Sequence, residues 1–254
     1  MQMEIEVAAA AVFVLAGVVK GVIGLGLPTL SMALLALWMP PAAAAALLVV
    51  PSLVTNVLQM RPWSSLGRTL RRLGGLQVGI VVGTLAGAWA FDGLASEIAA
   101  EALGVALVAY AAWGLLGRPV EVPLRHEAWL GPLCGVVTGA ITAWTGVFVL
   151  PAVIYLQGLR LERDDLVQAM GICFTTSTLA LGAVLLLQGR YPAAAAGTSV
   201  VMLLPALAGM ALGQWVRQRL PLAVFRRCFF FGLAVLGGYD ALRAPIASLV
   251  SSST

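Results

Sequence analysis

Charge is the scarcest property of this sequence. Only 10% of its 254 residues are Asp, Glu, Lys or Arg, whereas a soluble domain carries about a quarter. The mean hydropathy is +0.98, and 61% of the residues are apolar. Because about 20 apolar residues span a bilayer as a helix, the sequence predicts an all-α polytopic membrane protein. Long runs without any charge occupy 21–60, 73–91, 102–117, 128–159, 166–189 and 191–216.

The residues that most metal sites and many enzymes depend on are also scarce. The only histidine, His126, lies in a polar segment, and the cysteines Cys134, Cys173 and Cys228 lie far apart in apolar segments. This distribution excludes a Ser–His protease, a multi-histidine metal site and a Cys/His zinc site. The chain has no ATP-binding P-loop and no basic patch with interleaved aromatic residues. We therefore expect no enzyme activity, no cofactor, no metal and no nucleic-acid partner.

The chain divides into two halves of similar plan. Each half begins with a Gly-rich apolar stretch, followed by a connector, a helix with a polar cluster and two more apolar helices. We predict a first membrane repeat at 1–116, a polar linker at 117–127 and a second repeat at 128–254, with about eight membrane helical elements. The last two helices of the halves are predicted at 73–91 and 98–116, and at 191–216 and 222–242.

The distribution of cationic residues decides between two topologies. If all eight elements cross fully, eight cations lie inside and six lie outside. If the Gly-rich segments are broken or re-entrant, the halves are inverted and both termini lie outside. The balance is then twelve inside against two outside. Cytoplasmic loops are enriched in Lys and Arg, so two inverted four-element repeats are the preferred prediction. Carriers of this plan bind substrate near the bilayer midplane.

The first candidate site surrounds the only lysine of the chain. Lys20 is the only charge between residues 6 and 61, and Gly24 and Gly26 interrupt the helix on the way to Thr29. A cation within the membrane costs about 2.5–3.5 kcal/mol on insertion scales, which an anionic ligand would offset. We therefore predict that these four residues bind substrate. Two alternatives stay open. Lys20 could snorkel to the interface, and the glycines could serve close helix packing, since Gly17 and Gly21 form a GxxxG.

The other candidates are neutral hydrogen-bond donors. Such groups suit an anion that must be bound and then released. Hydrogen bonding within and between packed helices is the alternative that stays open for all of them. They are Asn56 and Gln59, which share one helix face, Thr142, Trp144 and Thr145 in the second Gly-rich segment, and Thr175, Thr176 and Ser177 in the second polar cluster.

These motifs resemble one known family. They are Gly17-x-x-x-Gly21-x-x-Gly24-x-Gly26, Pro51 followed by Thr55-Asn56-x-x-Gln59, and a second-half GxxxG leading to Gly146 and Pro151. Together they resemble the TauE/SafE family, also called the sulfite exporter or 4-toluene sulfonate uptake permease family. The resemblance implies a secondary transporter of the bacterial inner membrane for a small sulfur-containing organic anion, such as a sulfonate or sulfite. It also implies that the Gly-rich segments form the substrate site.

Two other functions stay open at this stage. A small-anion channel would use the same donors, and a non-transporting membrane interaction subunit would use them only to pack helices. The expected partners are the small anionic substrate and the lipid bilayer, and the sequence leaves a homo-oligomer open. No Asp or Glu is predicted near a helix centre, so no proton relay is expected. Import and export both stay open.

Overall fold

The computed structural model describes residues 2–91, 94, 99–117, 120–219 and 222–252, with side chains described for 4–90, 94, 99–117, 120–219 and 223–242. These residues form eleven α-helices and no strand, which confirms the predicted all-α class. In chain order they are α1 (Gln2–Ile23), α2 (Leu27–Leu35), α3 (Pro41–Gln59), α4 (Leu66–Arg72), α5 (Gly74–Phe91), α6 (Ala99–Leu116), α7 (Leu124–Thr145), α8 (Ala152–Gly158), α9 (Arg163–Leu187), α10 (Ala193–Arg217) and α11 (Leu222–Ser252).

Most of the long helices have the length and composition of membrane spans. Among the described residues, α1, α3, α6, α7, α9 and α10 each pass as a span, and α4 with α5 gives a seventh across a 64° bend. Large apolar side chains lie exposed on these helices, such as Trp89 at 90% and Leu187 at 81%. Exposed apolar surface of this extent suits lipid better than water. The protein is therefore a polytopic membrane protein, as predicted.

Glycines allow α1 and α10 to pack closely along their length. A Cβ on Gly17 would lie 2.9 Å from the backbone N of Met210, and one on Gly21 would lie 2.8 Å from that of Gln214. The contact advances in the same direction on both helices, so α1 and α10 run parallel. Small residues let membrane helices approach at backbone distance. For these two glycines, the structure therefore supports the helix-packing alternative.

The same kind of contact joins α5 to α7. A Cβ on Gly75 would lie 2.8 Å from Pro132 Cγ, and one on Gly87 would lie 3.1 Å from Ala140 Cα. Because the contact again advances in the same direction, α5 and α7 also run parallel. Each half of the chain thus packs its first long helix against a helix of the other half.

The first Gly-rich segment turns back on itself between α1 and α2. Gly24 and Gly26 have φ angles of 76° and 105°, which glycine adopts without strain, and this confirms the predicted break. Ser199 Oγ donates to Leu47 O at 2.8 Å and accepts from Val50 N at 3.1 Å, so α10 and α3 meet in their first halves. Side-chain hydrogen bonds also join the ends of α1 and α3. The helices α1 and α3 therefore run in the same direction, and α2 returns the chain to the side on which α1 begins.

The second Gly-rich segment is built in the same way between α7 and α8. Gly146, with a φ angle of 67°, ends α7. Ala88, Ala143 and Val184, near the ends of α5, α7 and α9, pack in one cluster. These three helices therefore run in the same direction, and α8 returns the chain to the side on which α7 begins. The helix directions support an inverted repeat, which itself stays a prediction.

The connections at one face of the helix bundle carry almost all the arginines. This face contains the ends of α3, α6, α8 and α10 and the starts of α5, α7, α9 and α11. The opposite face has Arg190 and the end of α11, which includes Arg243. Arg118, which is predicted for the arginine-rich face, lies outside the described residues. The described arginines of this arginine-rich face are Arg61, Arg68, Arg71, Arg72, Arg125, Arg160, Arg163, Arg217, Arg219, Arg226 and Arg227.

Two sequence-based boundaries differ from the structure. The helix α7 begins at Leu124, inside the predicted linker 117–127, whose role as a domain boundary stays a prediction. The helix predicted at 222–242 continues to Ser252. Asp240 therefore lies near the middle of α11, and its side chain is only 4% exposed. The prediction that no acidic residue lies near a helix centre is wrong for Asp240, because the apolar pattern used to end the helix fades before the helix does.

Candidate functional site

A buried cation lies at the end of α1. The Lys20 side chain is only 4% exposed. Its Nζ atom donates hydrogen bonds to Thr55 Oγ1, at 3.1 Å, and to Asn56 Oδ1, both on α3. Both partners are neutral, so dipoles and not a carboxylate hold the positive charge. The side chain thus points into the protein and does not snorkel to the membrane interface.

Asn56 connects Lys20 to the second half of the chain. Its Nδ2 atom donates to Ser52 Oγ and to Thr178 Oγ1, each at 3.3 Å. The Thr178 hydroxyl donates to Phe174 O at 2.7 Å within α9. Ser52, Asn56 and Thr178 are fully buried. A neutral polar network therefore lies where α3 and α9 pack together, directly behind the lysine.

Gln59 holds the break in the first Gly-rich segment. Its Nε2 atom donates to the carbonyl oxygen of Gly24 at 3.0 Å. This carbonyl lies where α1 ends, so an intrahelical partner is missing there. Asn56 and Gln59, which were predicted to share a face of α3, both point toward the end of α1. The polar cluster of α3 thus fixes the lysine and the break together.

A cavity of about 400 Å³ opens beside this lysine. It lies between the ends of α1, α3, α6 and α10 and the starts of α9 and α11, which places its mouth at the arginine-rich face. Its described lining includes five cationic side chains and no Asp or Glu. A cleft lined by charge of one sign concentrates counter-ions. The cationic side chains are Lys20, Arg61, Arg163, Arg217 and Arg226.

The rest of the cavity wall is neutral. Amide groups of Gln157 and Gln214 join Gln59 as potential hydrogen-bond donors, and much of the remainder is apolar. Trp113 stacks on Tyr110 with a centroid distance of 6.1 Å and presents its ring to the cavity. The cavity therefore offers positive charge and apolar surface together, a combination that suits an anion with a small organic body.

The structure brings together only part of the predicted site. Lys20, Gly24 and Gln59 line the cavity, and Asn56 contacts the lysine from behind. The other predicted residues do not line it, and their role in binding stays a prediction. They are Gly26, Thr29, Thr142, Trp144, Thr145, Thr175, Thr176 and Ser177.

Most of these other residues are buried and have local partners. Thr142, Thr145 and Thr175 each donate to the carbonyl four residues earlier, at 2.7–2.8 Å, as threonines in helices often do. The Trp144 indole lies 3.3 Å from Gly87 O, to which it donates. Gly26 packs against Val19 and Phe229.

Two of the remaining hydroxyls have no partner in the part of the chain that the structure describes. The oxygens of Thr29 and Ser177 are buried without a hydrogen bond among the described residues. Thr176 is half-buried on α9.

Sequence reasoning missed most of the cavity wall. The sequence treats Arg61, Arg163, Arg217 and Arg226 only as signals of membrane orientation, because they lie in or beside short connections. Their proximity to Lys20 depends on how three distant connections meet in space. One signal is available in the sequence: twelve cations are predicted on the same face, and connections on one face can line a common cavity.

Two acidic residues of the arginine-rich face, Glu121 and Glu127, pair with arginines that do not line the cavity. Arg160 forms an ion pair with Glu121, and its hydrogen bond and positive charge hold the pKa of that exposed carboxyl below its usual range. Arg72 binds both carboxylate oxygens of Glu127, at 3.0 and 2.7 Å. These two carboxylates are therefore committed to partners outside the cavity.

The structure is that of a polytopic membrane protein with a cationic, partly apolar cavity. The family model described as sulfite exporter TauE/SafE matches residues 9–239. The chain therefore belongs to the TauE/SafE family, a family of membrane transporters and not of enzymes. No curated protein and no solved structure matches the chain.

Proposed function

We propose that this protein is a secondary transporter for a small sulfur-containing organic anion, such as a sulfonate or sulfite. One observation carries the proposal: a buried lysine with only neutral partners lies at the inner end of a cavity whose described charges are all positive. A buried cation without a counter-ion is costly, and a bound anion offsets that cost. Membership of a sulfite exporter family supports the sulfur-containing class of anion.

The proposed binding mode follows from the chemistry of the wall. The Lys20 ammonium meets the oxygens of the anion, and Gln59 adds an amide donor. Trp113 and the methionines of α9 and α10, Met170 and Met210, accept the organic body. Charge and neutral donors together allow tight enough binding for recognition and weak enough binding for release.

The predicted ligands of α7 and α9 belong to a second part of this proposal. Thr142, Trp144, Thr145 and the run 175–177 would meet the anion only in a conformation in which the space between these helices opens. Transporters with discontinuous helices switch access by moving one bundle against the other around a fixed site. The second Gly-rich segment, which turns at Gly146 between α7 and α8, is a suitable element for that movement.

The proposed orientation places the arginine-rich face in the cytoplasm of a bacterial inner membrane, with both termini outside. Cationic loops favour the cytoplasmic side. The cavity then opens to the cytoplasm, which supports export of a cytoplasmic anion. An anion that leaves a negative-inside cell gains about 2.3 kcal/mol per charge for each 100 mV, so export requires no coupling ion.

The experiment is anion exchange in proteoliposomes containing the purified protein, with sulfite, sulfoacetate, toluene sulfonate and matched carboxylates. We expect saturable exchange of at least one sulfur-containing anion, lost in Lys20→Ala and Asn56→Ala. Arg190→Gln, which removes one positive charge from the opposite face, is the matched control and keeps full exchange. Exchange that survives both substitutions unchanged overturns the assignment of the site. Flux that does not saturate identifies a channel, and no flux with any anion contradicts the transport proposal.

A further inference from the structure

Gln168, on the second turn of α9, has a side chain with every hydrogen-bonding position occupied. Its Nε2 atom donates to Met60 O at 2.8 Å and to Pro62 O at 2.5 Å. Its Oε1 atom accepts from Ser65 Oγ at 3.0 Å and from Thr69 Oγ1 at 2.7 Å. Two donations and two acceptances exhaust the capacity of a primary amide. The side chain is fully buried.

All four partners lie on one short stretch, residues 60–69, which comprises the connection from α3 to α4 and the first turn of α4. The two carbonyl oxygens can only accept, so they require the Nε2 group and fix the orientation of the amide. This connection belongs to the first half of the chain, whereas Gln168 belongs to the second. One side chain thus ties the connection to the start of α9 across the two halves.

Arg61 is the residue between the two carbonyls that Gln168 holds. It lies at the cavity mouth, and its side chain is exposed. Nothing else described holds its guanidinium, because Arg61 has no ion pair or side-chain hydrogen bond among the described residues. Its position relative to the cavity therefore depends on the backbone at residues 60 and 62. The α9 wall of the same cavity includes Arg163 and Val167, the residue before Gln168.

We propose that Gln168 is a positioning residue, which keeps Arg61 at the mouth of the cationic cavity by holding the carbonyls on both sides of it. Its importance for transport depends on the proposed function, but its effect on Arg61 does not. A fixed arginine at the mouth raises the local concentration of anions through the field of the cavity. Without the amide, water can hydrate the exposed connection, and Arg61 is free to leave the mouth.

The first test measures the electrostatic environment of position 61 directly. In a background with Cys134→Ala, Cys173→Ala and Cys228→Ala, Arg61→Cys is labelled with sulfonatoethyl methanethiosulfonate, an anion, and with trimethylammonioethyl methanethiosulfonate, a cation. With each rate divided by the rate of the same reagent with a free thiol such as 2-mercaptoethanol, we expect the parent to favour the anionic reagent. Gln168→Met, which keeps side-chain length and loses all four hydrogen bonds, lowers the anion-to-cation rate ratio by roughly threefold or more. An unchanged ratio overturns the proposal.

Two further variants accompany this test, one as a control and one as a milder substitution. Gln77→Met removes a buried amide from α5 that has no hydrogen bond among the described residues, so it keeps the parent ratio. Thr69→Val removes only one of the four bonds to Gln168. Thr69→Val should therefore lower the anion-to-cation rate ratio in the same direction. If Gln168→Met does not fold, Thr69→Val is the deciding variant, and an unchanged ratio overturns the proposal.

The second test is a transport cycle in proteoliposomes with the unmodified chain as reference. Gln168→Met and Arg61→Gln each raise the KM for the anion by roughly three- to tenfold and leave kcat within twofold, and the double variant shows no further increase. Effects that add indicate that Gln168 does not act through Arg61. Absence of transport by the unmodified chain contradicts the proposed function, whereas the labelling ratio still decides the role of Gln168.

Discussion

Replacing Lys20 by methionine is expected to separate anion binding from folding. The substitution keeps the length and much of the volume of the side chain and removes the charge. In the structure this charge is 4% exposed and is held by Thr55 and Asn56 alone. The substitution should therefore weaken anion binding without lowering the stability of the fold, and each effect can be given a magnitude.

For the ligand, Lys20→Met removes one close ionic contact between the ammonium and the anion. Two unit charges 4 Å apart attract by about 4 kcal/mol at the effective dielectric constant of about 20 that suits protein sites. Water at the cavity mouth, and competition from Thr55 and Asn56 for the ammonium protons, reduce this attraction, so we take roughly 2–4 kcal/mol. Binding of a sulfonate should then weaken roughly 30- to 700-fold in Lys20→Met, since about 1.4 kcal/mol corresponds to a factor of ten.

For the fold, two effects nearly cancel. Removal of the ammonium leaves Asn56 Oδ1 without its donor, which costs about 1–3 kcal/mol. Removal of a cation from the membrane interior recovers about 2.5–3.5 kcal/mol on insertion scales. The unliganded variant should therefore be as stable as the parent or slightly more stable. A lysine with a purely structural role predicts the reverse, namely lower stability and unchanged affinity.

The assay is a thermal-shift titration of detergent-purified protein with toluene sulfonate and sulfoacetate. Ligand raises the melting temperature of the parent by mass action, and the concentration dependence gives the Kd. The matched control is Arg190→Gln, which removes one positive charge from the opposite face and keeps the parent Kd. A Lys20→Met protein that binds the same anions with the parent Kd would refute the reasoning.

The remaining predictions test the polar network, the helix packing and the arginine-rich face. Asn56→Asp places a carboxylate against the Lys20 ammonium, so we expect anion binding to weaken more than about tenfold with the melting temperature retained or raised, measured in the same titration. Gly139→Leu forces its side chain into the backbone of Ile80 and Thr84, and we expect loss of monodisperse protein in size-exclusion chromatography. Gly197→Leu, where a Cβ meets no atom within 4 Å, should behave as the parent. Arg72→Gln breaks an ion pair whose arginine is 37% exposed, and should cost no more than about 1 kcal/mol, or about 2–4 °C in melting temperature.

The sequence predicts the helical elements and the two breaks well, because both depend on local composition. Apolar runs without charge can satisfy their backbone only as helices in lipid. Gly24, Gly26 and Gly146 take positive φ angles at the positions where the helices were predicted to break. The polar clusters of α3 and α9 were also predicted as separate features. The hydrogen bond from Asn56 to Thr178 shows that they form one buried contact.

The cavity could not be predicted in the same way. It depends on distances between Lys20 and arginines from connections as far away as residue 226, and no periodic pattern encodes such distances. Gln168 was overlooked for a related reason. A glutamine near the start of a helix is an ordinary residue in sequence, and only the positions of four partners in the distant stretch 60–69 give it a specific role.

The way in which Lys20 is held bears on the affinity that the site can have. Its two hydrogen bonds to α3 hold the ammonium in place, so the anion need not arrange it. An anion must, however, compete with Thr55 and Asn56 for the same ammonium protons, and hydrogen bonds to a charged group are worth about 1.5–3 kcal/mol each. Pre-organisation favours binding and competition limits it. A site built in this way should bind at moderate affinity and release quickly, which a transporter requires and a storage or scavenging protein does not.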